Sequence, residues 1–498
     1  MSGAPETVAP GARRGLLDGK KRVLASAVAG TTVEWYDFYL YGMAAALVFN
    51  VQYFPGYTEL GATLASFATL AVGVIMRPLG GVIAGHLGDR LGRKALLVGS
   101  LLLMGVASTL IGMLPTFDQI GWWAVAGLLL LRCLQGISAG AEWGGAALLS
   151  VEHAPDHRRG FFGSFTQVGS SAGMLLATGA FALVQMTTTD EQFAEYGWRL
   201  PFLASAVLVV IGLVIRLGVE DSQEFREHRT SGTVASWPVA EVLRHHWRPV
   251  LVTAGLRLAQ NGVYYLITVY LLSYLVSTRG DQESAVTAVM IASAIGLFTT
   301  PFWGWMSDRY GRRTVSVCGY IAIGLSGWLV FGSVEMGALA LLPLVVILII
   351  NGAHDSVYGP QAAWFAEQFP VRVRYSGVNL GYQVGTVIGG GFAPFIAALL
   401  FSLGGDTPWL IAAYLSLLAV ASVTASLFAR DPARDRRGAS LADATTTIPG
   451  GGAGADSRTL ATVGAANEYA TANDTAANDP AANDTAADRT PADERTGR

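Results

Sequence analysis

The sequence predicts an all-α integral membrane protein with twelve transmembrane helices in two six-helix bundles. Of the 498 residues, 52% are hydrophobic and only 14% are charged, which is too little charge to cover a water-facing surface. The chain contains twelve apolar runs of about the 20 residues that a helix needs to cross a bilayer. One loop motif follows the second run and recurs after the eighth, which indicates that the second half of the chain repeats the first.

The predicted spans lie between residues 23 and 430. Many are rich in Gly and Ala, and small residues let helix backbones approach closely in lipid, so a tightly packed bundle is expected. The spans are residues 23–49, 61–85, 94–114, 121–149, 160–185, 199–219, 248–278, 283–307, 313–334, 337–360, 374–401 and 407–430.

A polar stretch in the middle of the chain separates six spans from six. The tail has near-repeats of Ala, Asn, Asp and Thr and little aliphatic bulk, so it cannot bury enough apolar area to fold and is predicted to be disordered. The predicted organisation is a cytoplasmic N-terminal segment at 1–22, an N-terminal bundle at 23–219, a cytoplasmic linker at 220–247, a C-terminal bundle at 248–430 and a disordered cytoplasmic tail at 431–498.

Lys and Arg residues concentrate in alternate loops. They precede the first span and follow each even-numbered span, whereas the intervening loops hold acidic residues and almost no bases, with Arg279 as the main exception. Cytoplasmic loops of membrane proteins are enriched in Lys and Arg. Both termini are therefore predicted to be cytoplasmic, in a multi-pass protein of the cell (plasma or inner) membrane.

Several classes of function are disfavoured by the composition. The net charge of −3 gives no basic excess to neutralise nucleic-acid phosphates. No Cys/His cluster has the spacing of metal ligands, and no G-x-x-x-x-G-K-[ST] loop for ATP is present. No nucleophile–base arrangement can be assembled, so an enzyme is not expected. We expect no cofactor and no metal, and the proton gradient is the expected energy source.

The repeated loop motif is G-x-x-x-D-R-x-G-R-[RK], at 85–94 and 304–313. An Asp near a helix end can pair with Arg or with the N-terminus of another helix, and Gly permits the tight turn. The motif is predicted to act as a conformational gate; the alternative is a basic loop that only sets topology. The predicted gate residues are Gly85, Asp89, Arg90, Gly92, Arg93, Asp308, Arg309, Gly311 and Arg312.

Two carboxylates lie within the first span. Glu34 and Asp37 are three residues apart and share a helix face with Tyr41. A proton-coupling carboxylate must change charge between conformations, which burial and a mobile Arg partner can bring about. Asp37 is favoured over Glu34 for this role, with Arg132 of the fourth span as its expected partner. The alternative is a static buried ion pair.

Arg77 in the second span has two possible roles. It lies at about the depth of Glu142 in the fourth span, so the two could form a structural pair. Alternatively, Arg77 faces the cavity and binds a substrate carboxylate, to which its planar fork is suited.

The second half of the chain has polar stripes at helical spacing, which lipid would penalise and which therefore line the interior. Interhelical hydrogen bonding alone is the alternative to ligand binding. His354 beside Asp355 could join a proton relay or could be a packing histidine. The stripes comprise Arg257, Asn261, Tyr264 and Tyr265 in span seven, Asn351, His354, Asp355, Tyr358 and Gln361 in span ten, and Ser376, Asn379, Gln383 and Thr386 in span eleven.

The duplicated loop resembles the signature of the major facilitator superfamily. Further stretches resemble its metabolite:H+ symporter family, which includes carriers for α-ketoglutarate, shikimate, citrate and proline or betaine. The tail lacks the coiled coil of the osmosensing betaine carriers, so osmosensing is not expected. These stretches are 30–39, 77–81, 132–136 with 140–145, 197–202, and 372–377 with 381–383.

The resemblance implies a monomeric carrier that works by alternating access in the lipid bilayer, with a small molecule and H+ as its partners. If Arg77, Arg132 and Arg257 line one cavity, an organic anion such as α-ketoglutarate, shikimate or citrate is favoured. A proton-independent facilitator and a zwitterion (proline or betaine) carrier remain the alternatives. The candidate substrate-binding residues are Arg77, Tyr41, Gln135, Arg257, Asn261, Tyr264, His354, Asp355 and Gln383.

Overall fold

The computed structural model describes residues 10–57, 59–91, 93–217, 238–279 and 283–432. All regular structure in this part of the chain is helical, and it contains the twelve long helices that the sequence predicts. They are α1 (Pro10–Ala44, continued by Ala45–Phe49 and Asn50–Gln52), α2 (Glu59–Leu91), α3 (Arg93–Met113), α4 (Trp122–Glu152), α5 (Arg159–Thr187), α6 (Arg199–Leu217), α7 (Trp247–Tyr265, continued by Leu266–Tyr270 and Leu271–Arg279), α8 (Glu283–Tyr310), α9 (Arg312–Glu335), α10 (Leu342–Ile347, Leu348–His354 and Asp355–Ala366), α11 (Arg374–Thr386, Val387–Gly391 and Ala393–Leu403) and α12 (Trp409–Phe428).

Short helices occupy several connections. The segment between α5 and α6 begins with a capping box. The side chains of Thr189 and Gln192 each accept a hydrogen bond from the backbone N–H of the other residue, which is a common arrangement at helix N-termini. Residues 218–237, which include most of the predicted linker at 220–247, and the tail from 433 lie outside the described residues, so the predicted disorder of the tail stays a prediction. The short elements are Phe117–Ile120, Asp190–Gln192, Phe193–Gly197, Pro238–His245 and the single turns Asp156–Arg158, Leu339–Leu341 and Val371–Val373.

Ten of the described helices are long and apolar enough by composition to cross a membrane. The two long helices that fall short are α1, which contains Glu34 and Asp37, and α7, which contains Arg257. These three charged side chains are buried. The exceptions are thus the first helix of each half, and they are polar because they contribute charged groups to the interior.

The outer surface has the opposite pattern. Leu102, Val106 and Leu110 of α3 recur at a spacing of four residues and are all exposed, so they form one apolar stripe. A stripe of this kind suits a lipid-facing helix, since lipid tails do not penalise exposed Leu and Val.

The helices of the two halves pack in the same order. In the first half α1 packs on α5, α2 on α4 and α3 on α6; in the second, α7 packs on α11, α8 on α10 and α9 on α12. The halves meet through α5 with α8 and through α2 with α11, which are equivalent pairs under the repeat. The two six-helix bundles predicted from the loop motif are therefore confirmed.

Glycines bring α2 and α4 into backbone contact. A Cβ added to Gly140 would collide with the carbonyl oxygen of Arg77, and one added to Gly136 would collide with that of Gly73. Because neither glycine can be replaced without separating the helices, this contact fixes how Arg77 and Arg132 approach the interior.

Among the described long helices, α1, α7, α10 and α11 contain a π-helical turn. In α1 and α7 these turns occupy equivalent positions, Ala45–Phe49 and Leu266–Tyr270, and in α10 the turn is Leu348–His354. A π-turn inserts one residue into the α-helical ladder and is frequent at functional sites. The turn in α10 changes the face on which His354 and the residues after it lie.

Candidate functional site

A small cavity lies within the first half. Charged side chains from three helices line it, Glu34 and Asp37 from α1, Arg77 from α2 and Arg132 from α4, and Gln135 joins them. All five side chains are buried. The sequence-predicted coupling residues and the predicted substrate residues Arg77 and Gln135 therefore share one cavity.

Asp37 has one hydrogen-bonded oxygen. Its Oδ1 accepts from the hydroxyl of Ser205 on α6 at 2.8 Å. Its Oδ2 is buried with no hydrogen bond within 3.5 Å among the described residues, although the hydroxyl of Ser108 on α3 also lies near the carboxylate. Burying an incompletely satisfied carboxylate is costly in its charged form. Asp37 is thus placed where a bound proton would offset that cost.

Arg132 lies across the same cavity and does not pair with Asp37 within 4 Å in the described part of the chain. Its guanidinium stacks on the ring of Tyr41, 4.2 Å from the centroid, and donates to Gln135 at 3.0 Å. Tyr41 in turn exchanges a 2.6 Å hydrogen bond with Thr69. Tyr41 therefore positions Arg132, while the coupling roles of Asp37 and Arg132 stay predictions.

Arg77 pairs with Glu34 at 3.3 Å, whereas the sequence suggested Glu142 as a possible partner. Glu142 instead forms a buried ion pair with Arg216 at the end of α6 and accepts a 2.8 Å hydrogen bond from Ser100. Counting residues along a span gives depth but not rotation about the helix axis, so the pairing could not be assigned from sequence. Arg216 was missed, because an arginine at a helix end usually reaches the membrane interface.

The second half is organised around Arg257 of α7. Its Nε donates to Thr386 of α11 at 2.9 Å, and its Nη1 donates to Gln260 at 2.8 Å and to Gln361 of α10 at 2.6 Å. The guanidinium lies on the ring of Tyr382, 3.5 Å from the centroid. Arg257 is therefore held by neutral groups, and no described carboxylate lies within 4 Å of it.

A hydrogen-bonded chain leads from Arg257 to Asp355. Gln260 joins Arg257 to the Nε2 of His354 at 2.6 Å, and the Nδ1 of His354 contacts Asp355 Oδ1 at 2.9 Å. Asp355 Oδ2 accepts from Thr299 of α8 at 2.5 Å. The predicted His354–Asp355 contact therefore exists, but Gln260, which connects it to the arginine, was absent from the sequence-based candidates because a single Gln gives no motif.

Of the remaining candidates, Asn261 and Tyr264 make contacts within the second half, whereas Gln383 contacts the first half. Asn261 donates to the Thr386 carbonyl at 3.1 Å and so joins α7 to α11. Tyr264 stacks on His354 with a centroid separation of 4.9 Å. Gln383 donates to the Gly140 carbonyl on α4 at 3.3 Å and so contacts the first half.

The two halves meet around arginines and tyrosines. Arg77 and Arg257 are close enough to interact electrostatically with each other and with the same tyrosines, Tyr265, Tyr358 and Tyr382. The hydroxyls of Tyr265 and Tyr358 are buried with no described hydrogen-bond partner. Buried polar atoms are normally satisfied, so two unpaired hydroxyls between two arginines indicate a polar ligand site.

An aromatic cluster borders this site. The ring of Trp35 on α1 contacts Tyr264 at 5.6 Å, and Phe38 contacts Tyr265 at 5.6 Å, both edge-to-face. Trp143 of α4 also stacks on Tyr382 of α11 at 3.4 Å. These contacts cross from one half to the other.

One copy of the gate motif is described in full. Asp308 at the end of α8 accepts the backbone N–H groups of Gly160 and Phe161 at 2.9 and 2.8 Å, at the start of α5. Arg312 pairs with Asp308 at 2.7 Å and with Glu367, the residue that follows α10, at 3.4 Å. The motif therefore joins the halves at the end that holds the Arg-rich loops, which we call the basic end (158–159, 312–313 and 372–374).

The other gate residues are only partly described. Gly311 has φ 96°, a value that favours glycine, and it separates α8 from α9. Arg309 places its guanidinium 5.7 Å from the ring of Tyr310. A Cβ on Gly85 would lie 2.7 Å from Ser376 Oγ on α11, so the first copy also faces the opposite half. Gly92 and the side chains of Asp89, Arg90 and Arg93 lie outside the described residues.

The sequence profile of the Major Facilitator Superfamily matches residues 27–381 and 284–463. The chain belongs to the major facilitator superfamily. The shikimate transporter of Escherichia coli is 42% identical over 421 residues, which is 84% of this chain and 96% of the relative. The glycine betaine/proline/ectoine/pipecolic acid transporter OusA of Dickeya dadantii is 34% identical over 430 residues, 84% of either chain.

These relatives place the chain in the metabolite:H+ symporter family that its motifs resemble. The solved proton:xylose symporter XylE, bound to a bromo-deoxy-glucose, superposes with a TM-score of 0.66 over 82% of this chain and 95% of that one. At 16% identity this likeness concerns the fold. The chain is a multi-pass membrane transporter for small molecules and not an enzyme.

Proposed function

We propose that this member of the superfamily is a proton-coupled symporter of a small organic acid, working by alternating access. The observation that supports the proposal most directly is Arg257, which is buried with only neutral hydrogen-bond partners. A buried charge without a counter-ion is strongly disfavoured. Glu34 interacts with Arg257 only at longer range, so a substrate carboxylate would supply the counter-ion in direct contact that Arg257 lacks.

Charge balance favours a substrate with one carboxylate. The buried groups of the site are Arg77, Arg132 and Arg257 against Glu34, Asp37 and Asp355. If a proton neutralises Asp37, the site gains one net positive charge, which one carboxylate balances. A dicarboxylate or tricarboxylate, such as α-ketoglutarate or citrate, would leave excess negative charge in a low-dielectric interior.

Hydroxyl groups on the substrate would satisfy the unpaired polar atoms. Gln361 Nε2 and Gln383 Oε1 are buried without a described partner, as are the hydroxyls of Tyr265 and Tyr358. Hydroxyls both donate and accept hydrogen bonds. A polyhydroxylated monocarboxylate of the shikimate type is therefore the proposed substrate, in agreement with the 42% identity to the shikimate transporter.

Asp37 is the proposed proton-binding group, because it has a buried oxygen without a partner and faces Arg132 across the cavity.

The proposed carrier is a monomer in the inner membrane with the basic end, and both termini, in the cytoplasm. A protease site engineered after the tail should be cleaved in inside-out vesicles; cleavage in right-side-out vesicles instead would contradict this orientation.

The proposed function is tested by uptake into proteoliposomes with an imposed acid-outside pH gradient. We expect shikimate to accumulate above its external concentration, and an uncoupler to abolish this accumulation. Citrate and α-ketoglutarate should be poor competitors. Uptake that only equilibrates, with or without the gradient, would contradict symport and leave a facilitator.

A zwitterion carrier is the second candidate, and the aromatic cluster supports it. Trp35, Tyr39 and Tyr264 lie within about 6.4 Å of one another by ring centroids, and aromatic faces bind quaternary ammonium groups. Betaine should be tested in the same liposomes. Accumulation of betaine with no inhibition by shikimate would favour this candidate over the organic acid.

A further inference from the structure

The amide of Gln260 stands between a cation and a titratable ring. Its Oε1 accepts from Arg257 Nη1 at 2.8 Å, and its Nε2 faces His354 Nε2 at 2.6 Å. We propose that Gln260 is a proton-operated positioning residue, which holds Arg257 while His354 is neutral and releases it when His354 is protonated. The inference rests on the proposed function, since it concerns how tightly the same arginine binds an anion.

The donors and acceptors of each group determine how the Gln260 amide is oriented when His354 is neutral. A guanidinium only donates hydrogen bonds, so the amide oxygen of Gln260 must face Arg257. The amide NH₂ then donates to Nε2 of His354, which must be unprotonated. The ring proton is therefore on Nδ1, where it is donated to Asp355 Oδ1 at 2.9 Å.

Protonation of His354 makes this arrangement impossible. The added proton on Nε2 would face the amide NH₂ across 2.6 Å, so two donors would oppose each other. Rotation of the amide by half a turn restores a bond to His354 but turns the NH₂ toward Arg257, which cannot accept. Gln260 can therefore satisfy His354 in its charged form or Arg257, but not both.

Polar groups surround the ring of His354. Asp355 Oδ1 contacts its ring, and the other oxygen of Asp355 is fixed by Thr299 at 2.5 Å and by Asn351 at 3.3 Å. Among the described residues, the groups that contact the histidine are Asp355 and Tyr358 of α10 and Gln260 and Tyr264 of α7. Arg257 of α7 and Thr299 of α8 are one contact further away, through Gln260 and Asp355.

Release of Gln260 changes what Arg257 can bind. Nε is used by Thr386 and both Nη1 protons by Gln260 and Gln361, so only Nη2 is left for a ligand. Freeing one Nη1 proton allows a carboxylate to bind Nη1 and Nη2 together, the bidentate geometry that is strongest for Arg. Proton binding at His354 and anion binding at Arg257 must then favour each other equally.

The test is the pH dependence of shikimate affinity, measured by counterflow exchange at equal pH on both sides in the Asp37→Asn protein. That background removes the other proposed proton site. We expect the apparent Kd to be about tenfold or more higher with His354 neutral than with His354 protonated, because one charged hydrogen bond to the carboxylate is lost. Adding Gln260→Leu or His354→Gln should abolish this dependence, and Gln260→Leu should keep at pH 8 the affinity seen at low pH.

Gln119→Leu, at an exposed position between α3 and α4, is the matched control and should leave the dependence intact. An unchanged pH dependence in Gln260→Leu would overturn the inference while leaving the proposed function standing. If the Asp37→Asn parent binds no shikimate at any pH, the proposed function fails as well. Should Gln260→Leu not assemble, Gln260→Glu gives a separate test, since its carboxylate accepts from both neighbours and should keep affinity low at every pH.

Discussion

The two halves of the transporter hold their buried charges in different ways. In the first half the charged groups are largely paired with each other, as in Glu34–Arg77 and Glu142–Arg216. In the second half Arg257 is held by amides, a hydroxyl and an aromatic ring. The first helix of each half also carries the opposite charge: α1 contains the acidic residues Glu34 and Asp37, whereas α7 contains Arg257.

This difference separates two tasks that a symporter must perform. A carboxylate with an unsatisfied oxygen, such as Asp37, can change its protonation state at little structural cost. An arginine held by neutral acceptors keeps its charge available for a ligand. We infer that Asp37 of the first half binds the proton that drives accumulation, and that the second half binds the carboxylate of the substrate with an affinity that His354 adjusts.

The largest expected effect concerns the structural ion pair of the first half. Glu142→Gln leaves Arg216 buried without its counter-ion, which should lower the free energy of unfolding by about 3–5 kcal/mol. Thermal unfolding in detergent would measure it. Glu241→Gln, in the more exposed pair with Arg372, is the matched control and should cost about 0–1 kcal/mol; equal losses in the two variants would contradict this account.

Arg257→Gln should weaken shikimate binding without unfolding the protein. Loss of the charged hydrogen bonds to a carboxylate costs about 1.5–3 kcal/mol, which corresponds to roughly tenfold to a hundredfold in Kd. Counterflow exchange measures the change, and Arg244→Gln at an exposed position should have none. An unaltered Kd in Arg257→Gln would contradict the proposal that the substrate carboxylate binds in the second half.

Asp308→Asn should weaken the gate at the basic end. Asn keeps one acceptor oxygen for the N–H groups of Gly160 and Phe161 but loses the charge and the ion pair with Arg312, at a cost of about 1–2 kcal/mol. Spin labels at the exposed positions His157 and Tyr310 should show a larger population at long distance by electron–electron double resonance. An unchanged distance distribution would show that the contact does not control closure.

The smallest expected effect is that of Thr299→Val, which removes the hydroxyl that donates to Asp355. A lost hydrogen bond to a buried carboxylate should lower the free energy of unfolding by about 1 kcal/mol, visible as a small fall in Tm. Thr109→Val, whose hydroxyl bonds only to the Gly105 carbonyl of its own helix among the contacts seen, should change Tm less. The reverse order would mean that Asp355 does not depend on Thr299.

The sequence predicted the helices and the repeat because length, hydropathy and a duplicated motif are local signals. It also brought Asp37, Glu34, Arg77 and Arg132 together, since buried charges in a membrane bundle must face the interior. It could not assign partners: Arg77 pairs with Glu34 and Glu142 with Arg216 because of helix rotation and of backbone contacts at glycines, which depth counting does not capture.

The second half shows a different limit of the sequence. Its polar stripes were placed in the interior, but the π-turn at 348–354 alters the face on which His354 and the residues after it lie. Gln260 was overlooked because its importance depends on its two hydrogen-bond partners, Arg257 at its oxygen and His354 at its nitrogen. Such a link appears only when α7 and α10 are packed together.

The division of labour between the halves is tested most directly by comparing accumulation with exchange in two variants. Asp37→Asn and Arg257→Gln would each be assayed for gradient-driven uptake and for counterflow of shikimate, with Asp118→Asn and Arg244→Gln as exposed controls. The account predicts that Asp37→Asn loses accumulation but keeps exchange, and that Arg257→Gln loses both at low substrate concentration. Accumulation by Asp37→Asn, or undiminished exchange by Arg257→Gln, would contradict it.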